Sequence, residues 1–123
     1  MAKLVADAVL DAALNYIKNN AILEIACKDT PTTYANAVGT TALADVAIDG
    51  DDMIVADGTV NGRKVTIGEQ AAVLIDASGI ATHIALCSAD TLLYATTCTP
   101  QELTAANTVT IPSWKIELGD PAA

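Results

Sequence analysis

Residues 71–98, with the sequence AAVLIDASGIATHIALCSADTLLYATTC, contain three predicted strands that decide the fold. The strands are Ala71 to Asp76, Ile80 to Ser88 and Leu92 to Cys98, and short turns separate them. Both alternating faces of the middle strand are nearly apolar, which is typical of a central strand covered on each side. Connections this short predict antiparallel pairing of neighbouring strands.

Short strands and turns continue on both sides of this segment. Asn61-Gly62 is a dipeptide that favours a tight hairpin turn. Turn signals at roughly 8 to 12 residues, with no helix between the strands, indicate an antiparallel β-sandwich or barrel of about eight short strands. We therefore predict a mainly β fold preceded by one N-terminal α-helix. The other predicted strands are Ile22 to Lys28, Leu43 to Ile48, Met53 to Ala56, Arg63 to Ile67, Thr108 to Ile111 and Trp114 to Leu118.

The N-terminal helix is predicted within residues 1–20 and carries a large apolar surface. At about 100° per residue, its polar side chains occupy an arc of roughly 120°. The rest of the helix surface is apolar, which is more than a helix lying on one core needs. Either the helix is tucked deeply into its own domain, or it packs on the domain and on a neighbouring subunit. The polar positions are Lys3, Asp7, Asp11, Asn15 and Lys18.

A second candidate contact surface is the long polar loop predicted over residues 29–41. Pro31 excludes a central strand there. Tyr34 in this loop either anchors a partner or folds back over its own domain. Together with the apolar helix positions, it completes the set of candidate interface residues. These are Leu4, Leu10, Leu14, Ile17 and Tyr34.

The composition is that of a single domain spanning residues 1–123, with the helix in 1–20 and the β-structure in 21–123. Hydrophobic residues make up 52% of the chain, which argues against disorder. The net charge of −9 argues against nucleic-acid and anionic-membrane partners, because both bind Lys and Arg. The start of the chain lacks the pattern of a signal peptide, and no apolar run reaches the roughly 18 residues of a membrane span. Folding in the cytoplasm is expected, with Cys27, Cys87 and Cys98 as three buried free thiols.

The sequence offers little from which to build a catalytic site. Nucleophilic catalysis usually needs a histidine base, and His83 lies in an apolar strand where a satisfied core or interface histidine is expected. Motifs for acyl transfer, phosphate cradling, dinucleotide binding and dithiol redox chemistry are absent. The acidic segment 49–52 offers oxygen ligands for a cation but matches no Ca²⁺ loop, so a solvated turn is preferred. We expect no enzyme activity and no catalytic, cofactor-binding or metal-binding residues.

Segments spread over nearly the whole chain resemble a group of small virion proteins of tailed bacteriophages. They are KLVADAVLDAALNYI (3–17), PTTY (31–34), ALAD (42–45), NGRKV (61–65), DASGIATHIAL (76–86) and WKI (114–116). The resemblance implies a structural role, in the first place as a capsid decoration or cement protein that binds the outer shell and stabilises it. It brings no catalytic residues with it.

The implied partners are the major capsid protein or other virion proteins, and copies of the chain itself as a dimer or trimer. An acidic surface suits the outside of a shell whose interior holds DNA. The expected location is the virion, after synthesis and assembly in the host cytoplasm. The alternatives are a tail or neck component, a cell-surface adhesion module, and a small hydrolase or metal-dependent enzyme.

Overall fold

The computed structural model describes residues 6–58 and 62–118, which form one α-helix and nine antiparallel strands. The helix α1 spans Asp7–Asn20, and two short helical turns are a π-helix (Asn36–Thr40) and a 3₁₀ helix (Gly50–Asp52). The predicted mainly β fold behind one N-terminal helix is confirmed, and each of the nine segments named as predicted strands forms one. The strands are β1 (Leu23–Cys27), β2 (Ala42–Ala47), β3 (Met53–Asp57), β4 (Arg63–Ile67), β5 (Gln70–Leu74), β6 (Gly79–Cys87), β7 (Leu92–Leu103), β8 (Thr108–Ile111) and β9 (Trp114–Leu118).

The first layer is a four-stranded sheet in the order β2-β1-β6-β7. β6 is an inner strand, with Ala85 opposite Ile25 of β1 on one side and Ala95 of β7 on the other. Neighbouring residues of β6 point to opposite faces, and Leu86 and Ala85 pack into two different apolar clusters. This coverage on both faces explains why the strand lacks a polar side.

The second layer is a long antiparallel strand pair whose ladder is interrupted in the middle. The pairing of β4 with β9 continues into the pairing of β5 with β8, from Arg63 opposite Leu118 to Gln70 opposite Ile111. The interruption coincides with Pro112, which has no N–H to donate to a ladder. β3 pairs with the other edge of β4.

The two layers are joined at one corner and open at the opposite one. Ala44 in β2 forms a bridge with Ile75, which follows β5, and the Asp76 N–H donates to the Leu43 carbonyl at 2.8 Å. No comparable bridge joins β7 to β8 or β9 within residues 6–58 and 62–118. The fold is therefore a two-layer sandwich that is closed like a barrel along one side only.

The helix contributes to the core between the layers. Leu14 is fully buried in a cluster with Met53 and Val65 of the second layer and Leu86 of the first. Full burial of such a side chain contributes about 2 kcal/mol to stability. Packing against both layers fixes α1 on the sandwich.

β7 is longer than the strand predicted from the sequence and continues past Cys98 to Leu103. The register of the β6–β7 pair shifts after Thr97, which marks a bulge. Pro100 lies in this bulge and is tolerated because β7 is an edge strand with one unpaired side.

The segment 29–41 contains helical structure, and the predicted hairpin turn is described only in part. Residues 29–41 are not a single irregular loop, because they contain the π-helix Asn36–Thr40. Asn61 of the predicted turn lies outside the described residues. Gly62 has φ of 70° and its carbonyl accepts from the Gly58 N–H at 3.0 Å, a positive φ that glycine adopts without strain.

Candidate interaction surfaces

Three of the predicted interface residues lie on the helix face that packs on the chain's own core. Leu10 and Leu14 are 8% and 0% exposed, and Ile17 is half-buried beside the same cluster as Leu14. The interface expectation is corrected for Leu10 and Leu14, because side chains this deeply buried have almost no surface left for a partner. Leu4 lies outside the described residues.

The helix presents a second apolar face to solvent. Val9 and Tyr16 are each 62% exposed, and Ala12 and Ala13 between them are also exposed. These four residues, which we call the open stripe, span an arc of about 100° centred roughly 120° from the buried face. Their spacing of i, i+3, i+4 and i+7 is the one by which a helix packs on another apolar element. α1 therefore has one face in its own core and one open apolar face.

Ionic contacts fix the orientation of the helix and hence of the open stripe. Arg63 in β4 donates from Nε to Asp11 Oδ1 at 2.7 Å and from Nη1 to Asp57 Oδ1 at 2.5 Å. Asp11 belongs to α1 and Asp57 to β3, so one guanidinium joins three elements. The hydrogen bonds to Asp11 and then Asp57 raise the pKa of Arg63.

Tyr34 folds back over its own domain. Its half-buried ring packs against a cluster that includes Ile25, Cys27 and Ala85 on the outer face of the first sheet. The π-helix that follows buries Ala37 in the same cluster. The structure therefore supports the second interpretation of Tyr34, in which the ring packs on its own domain.

A cleft of about 440 Å³ opens at the unjoined corner of the sandwich. One wall is β7 (residues 96–99, 101 and 103), and the other is β8 with the start of β9 (residues 109–112 and 114). The floor is formed by Ala26, Ala81 and Ile84 of the first sheet. None of the described residues that line the cleft has a charged side chain, although the chain has six basic and fifteen acidic residues.

A buried acid supports one wall of this cleft. Glu24 in β1 is fully buried, and its Oε2 accepts a hydrogen bond of 3.2 Å from Trp114 Nε1. Its Oε1 has no hydrogen-bond partner within the described part of the chain. Desolvation raises the pKa of Glu24 to about 7, the bond from Trp114 opposes the rise and Asp52 adds to it. The indole ring also packs on Tyr94, with ring centroids 6.1 Å apart.

His83 is engaged by hydroxyl groups on both ring nitrogens. Its Nε2 lies 2.9 Å from Thr30 Oγ1, and its Nδ1 lies 2.8 Å from Thr82 Oγ1. The prediction of a satisfied histidine is confirmed. Both of these hydrogen-bond contacts are to threonine hydroxyls.

The three cysteines are free thiols. Cys27 and Cys87 are fully buried as predicted, whereas Cys98 is only half-buried and lines the cleft. Burial raises the pKa of all three thiols, to about 11 for Cys87. The thiolate form that nucleophilic chemistry requires is therefore disfavoured.

The acidic segment 49–52 forms a 3₁₀ helix with its own capping contacts. Asp49 Oδ1 accepts from the Asp51 N–H, and Asp52 Oδ2 accepts from the Asp49 N–H, both at 2.9 Å. These oxygens satisfy backbone donors at the start of the helix. Among residues 6–58 and 62–118, no group of three or more His, Cys, Asp or Glu side chains is placed to hold a metal ion.

Sequence reasoning missed the cleft and the buried acid, and it predicted the large apolar helix surface without separating the open stripe from the buried face. The stripe has a sequence signal, namely the spacing of Val9, Ala12, Ala13 and Tyr16. Glu24 also has one, because it is the only charged residue in the apolar strand 22–27. The cleft has none, because its walls and floor come from strands that are distant in the sequence.

The fold and surfaces define a β-sandwich with an open apolar helix face and an uncharged cleft. No helix formed by the described residues is long and apolar enough to cross a membrane. No family model, curated protein or solved structure matches this chain.

Proposed function

We propose that this chain is a structural protein of a bacteriophage virion, in the first place a capsid decoration or cement protein that binds the outer shell and stabilises it. The observation that carries the proposal is the open stripe of α1. Apolar side chains that remain exposed together, on a helix whose other face is already in the core, are typical of surfaces that pack on another subunit. The resemblance of the sequence to small virion proteins supplies the kind of assembly.

The charge of the chain supports a position on the outside of the shell. A domain with a net charge of −9 is repelled by DNA, which fills the interior of a capsid. The three free cysteines fit assembly in a reducing cytoplasm, because none of them depends on oxidation.

Bridging is the physical basis of the proposed stabilisation. A domain that binds two neighbouring capsomers at once links them, because its second contact is intramolecular once the first has formed. The capsomers then separate only when their own interface and one of the contacts to the domain have both broken. The bridge has to be stiff, and α1 is held by Leu14 in the core and by Arg63 at the surface. Copies of the chain related by the symmetry of the shell would form the proposed dimer or trimer.

Particles assembled without the chain provide the test. Purified chain added back to them is expected to sediment with the shell and to raise the temperature at which the shell releases its DNA. Sedimentation with isolated tails or necks, and not with shells, would refute the decoration role and support the tail or neck alternative. Binding to host cells with no binding to particles would support the adhesion module.

A further inference from the structure

We propose that the cleft between β7 and the β8–β9 strand binds a small, uncharged and mainly apolar molecule. Nothing in this proposal depends on the structural role in the virion. The cleft volume of about 440 Å³ lies within the roughly 300 to 1,000 Å³ that small-molecule sites occupy.

The charge of the lining selects an uncharged ligand. Among residues 6–58 and 62–118, none of those that line the cleft is Asp, Glu, Lys, Arg or His. An anion would find no cation there and would be repelled by the net charge of −9. A cation would find no exposed carboxylate, because Glu24 is fully buried and is bonded to Trp114.

The side chains around the cleft give it an apolar base and a polar rim. Ala26 and Ala81 on the floor are small, so the space above them is left open. Trp114 supplies a flat aromatic wall, and its hydrogen bond to Glu24 holds the ring in place. The hydroxyls of threonines 96 and 99 and the amide of Gln101 can orient one polar group of the ligand.

The two strand edges that flank the cleft are poorly suited to a peptide. Adding a strand needs a continuous row of backbone N–H and C=O groups. Pro100 interrupts this row on β7, and Pro112 interrupts it between β8 and β9. Prolines on edge strands prevent strand addition. A ligand in this cleft is therefore bound by side chains and not by the backbone edges, which favours a small molecule.

Two probes that share the same rings test the inference on the intact chain. N-phenyl-1-naphthylamine is neutral, and 1-anilinonaphthalene-8-sulfonate adds one negative charge. The neutral probe is expected to bind saturably, with one site per chain, and to accept excitation energy from Trp114, the single tryptophan. The sulfonate is expected to bind at least about tenfold more weakly because the cleft cannot pair its charge. Equal affinities would overturn the proposal.

Variants place the binding in the cleft. Thr96→Phe fills the cleft, because Thr96 lies opposite Ile84 of the floor and shares its face of the sheet, and it is expected to weaken binding of the neutral probe by about tenfold or more. Thr108→Phe changes the same residue type on β8, outside the cleft lining, and is expected to bind like the parent chain. Tyr16→Asp is also expected to bind normally, and loss of binding in that variant would place the probe on the open stripe and refute the inference.

Cysteine modification of the parent chain is a test that does not require any variant to fold. Cys98 lines the cleft, whereas Cys27 and Cys87 are fully buried elsewhere. In native protein, N-ethylmaleimide is therefore expected to modify Cys98 first, and saturating neutral probe is expected to slow that reaction several-fold. An unchanged rate of Cys98 modification at saturation, measured by mass spectrometry, would contradict the inference.

Discussion

Trp114 donates a hydrogen bond to Glu24 across the two layers of the sandwich, with 3.2 Å between Nε1 and Oε2. Glu24 lies in β1 of the first sheet, and Trp114 begins β9 of the second layer. The second carboxyl oxygen of Glu24 has no partner among the described residues. Ionisation of this acid would place an uncompensated charge in the core, which costs folding free energy.

Replacing Glu24 with glutamine is expected to change how stability depends on pH. The pKa of Glu24 is raised from 4.5 to about 7 in the folded chain. The unfolded chain therefore loses this proton first, and the free energy of unfolding falls as the pH rises from about 4.5 to about 7. Glu24→Gln removes that loss, so it should stabilise the chain at pH 8 by about 3 kcal/mol more than at pH 4. Urea denaturation followed by Trp114 fluorescence measures the difference.

The control for this prediction is Glu102→Gln, which changes an exposed carboxylate on β7. We expect the effect of Glu24→Gln on the free energy of unfolding to change more between pH 4 and pH 8 than the effect of this variant does. An equal effect of Glu24→Gln at the two pH values would show that the Glu24 carboxyl is not desolvated.

Trp114→Phe tests the hydrogen bond itself. Phenylalanine keeps an aromatic ring but removes the N–H donor, and that donor lowers the pKa of Glu24. The pKa of Glu24 is therefore expected to rise further in the variant, as followed by the ¹³C chemical shift of its carboxyl carbon during titration. Tyr94→Phe, which leaves the indole N–H in place, is the matched control. An unshifted titration in Trp114→Phe would mean that the bond does not form.

The two faces of α1 predict different outcomes for two residues that are close in sequence. Leu14→Ala opens space in the core and should cost about 2 to 5 kcal/mol of unfolding free energy. Tyr16→Ala removes an exposed side chain and should change it by no more than about 0.5 kcal/mol. Equal losses in denaturant titrations would contradict the assigned orientation of the helix.

A charge in the open stripe should block assembly without unfolding the chain. Tyr16→Asp places a carboxylate where the proposed contact is apolar, and binding to shells or to other copies should weaken by at least about tenfold. Asn15→Asp adds the same charge to the polar side of the same helix and should bind normally. Normal binding of both variants in sedimentation assays would remove the open stripe from the interface.

Arg63 is expected to control local stability at the helix. Arg63→Met keeps the apolar stem but breaks the contacts to Asp11 and Asp57, so amide protons of α1 should exchange faster. Lys64→Met on the same strand changes the same charge without touching the Asp11 contact. Unchanged protection of α1 in Arg63→Met, measured by hydrogen exchange, would show that the helix is held by Leu14 and its apolar neighbours alone.

The strands were predictable because their signals are local. Residues 108–111 and 114–118 were predicted with the bounds that the structure has, since turn-forming residues flank them and Lys115 and Glu117 alternate with apolar neighbours. The end of β7 was missed because Pro100 normally stops a strand. Only the sheet order shows that β7 is an edge strand, where proline is tolerated.

The interface residues were less predictable. The helical periodicity shows that a large surface is apolar, but not which part of it packs in the core and which part stays exposed. Leu10 and Leu14 were assigned to a partner, and the structure buries them in the chain's own core. Val9 and Tyr16 remain exposed, although they were not among the candidate interface residues. The cleft depends on the distance between β7 and β8, which no local pattern encodes.

The number of copies of this chain in a purified particle is the most direct test of the proposed function. It is measured by quantitative mass spectrometry against the major capsid protein. A decoration protein covers a symmetric shell and is expected at on the order of hundreds of copies per particle. A value of about twelve or fewer, as for a ring at a single vertex, would contradict the decoration role.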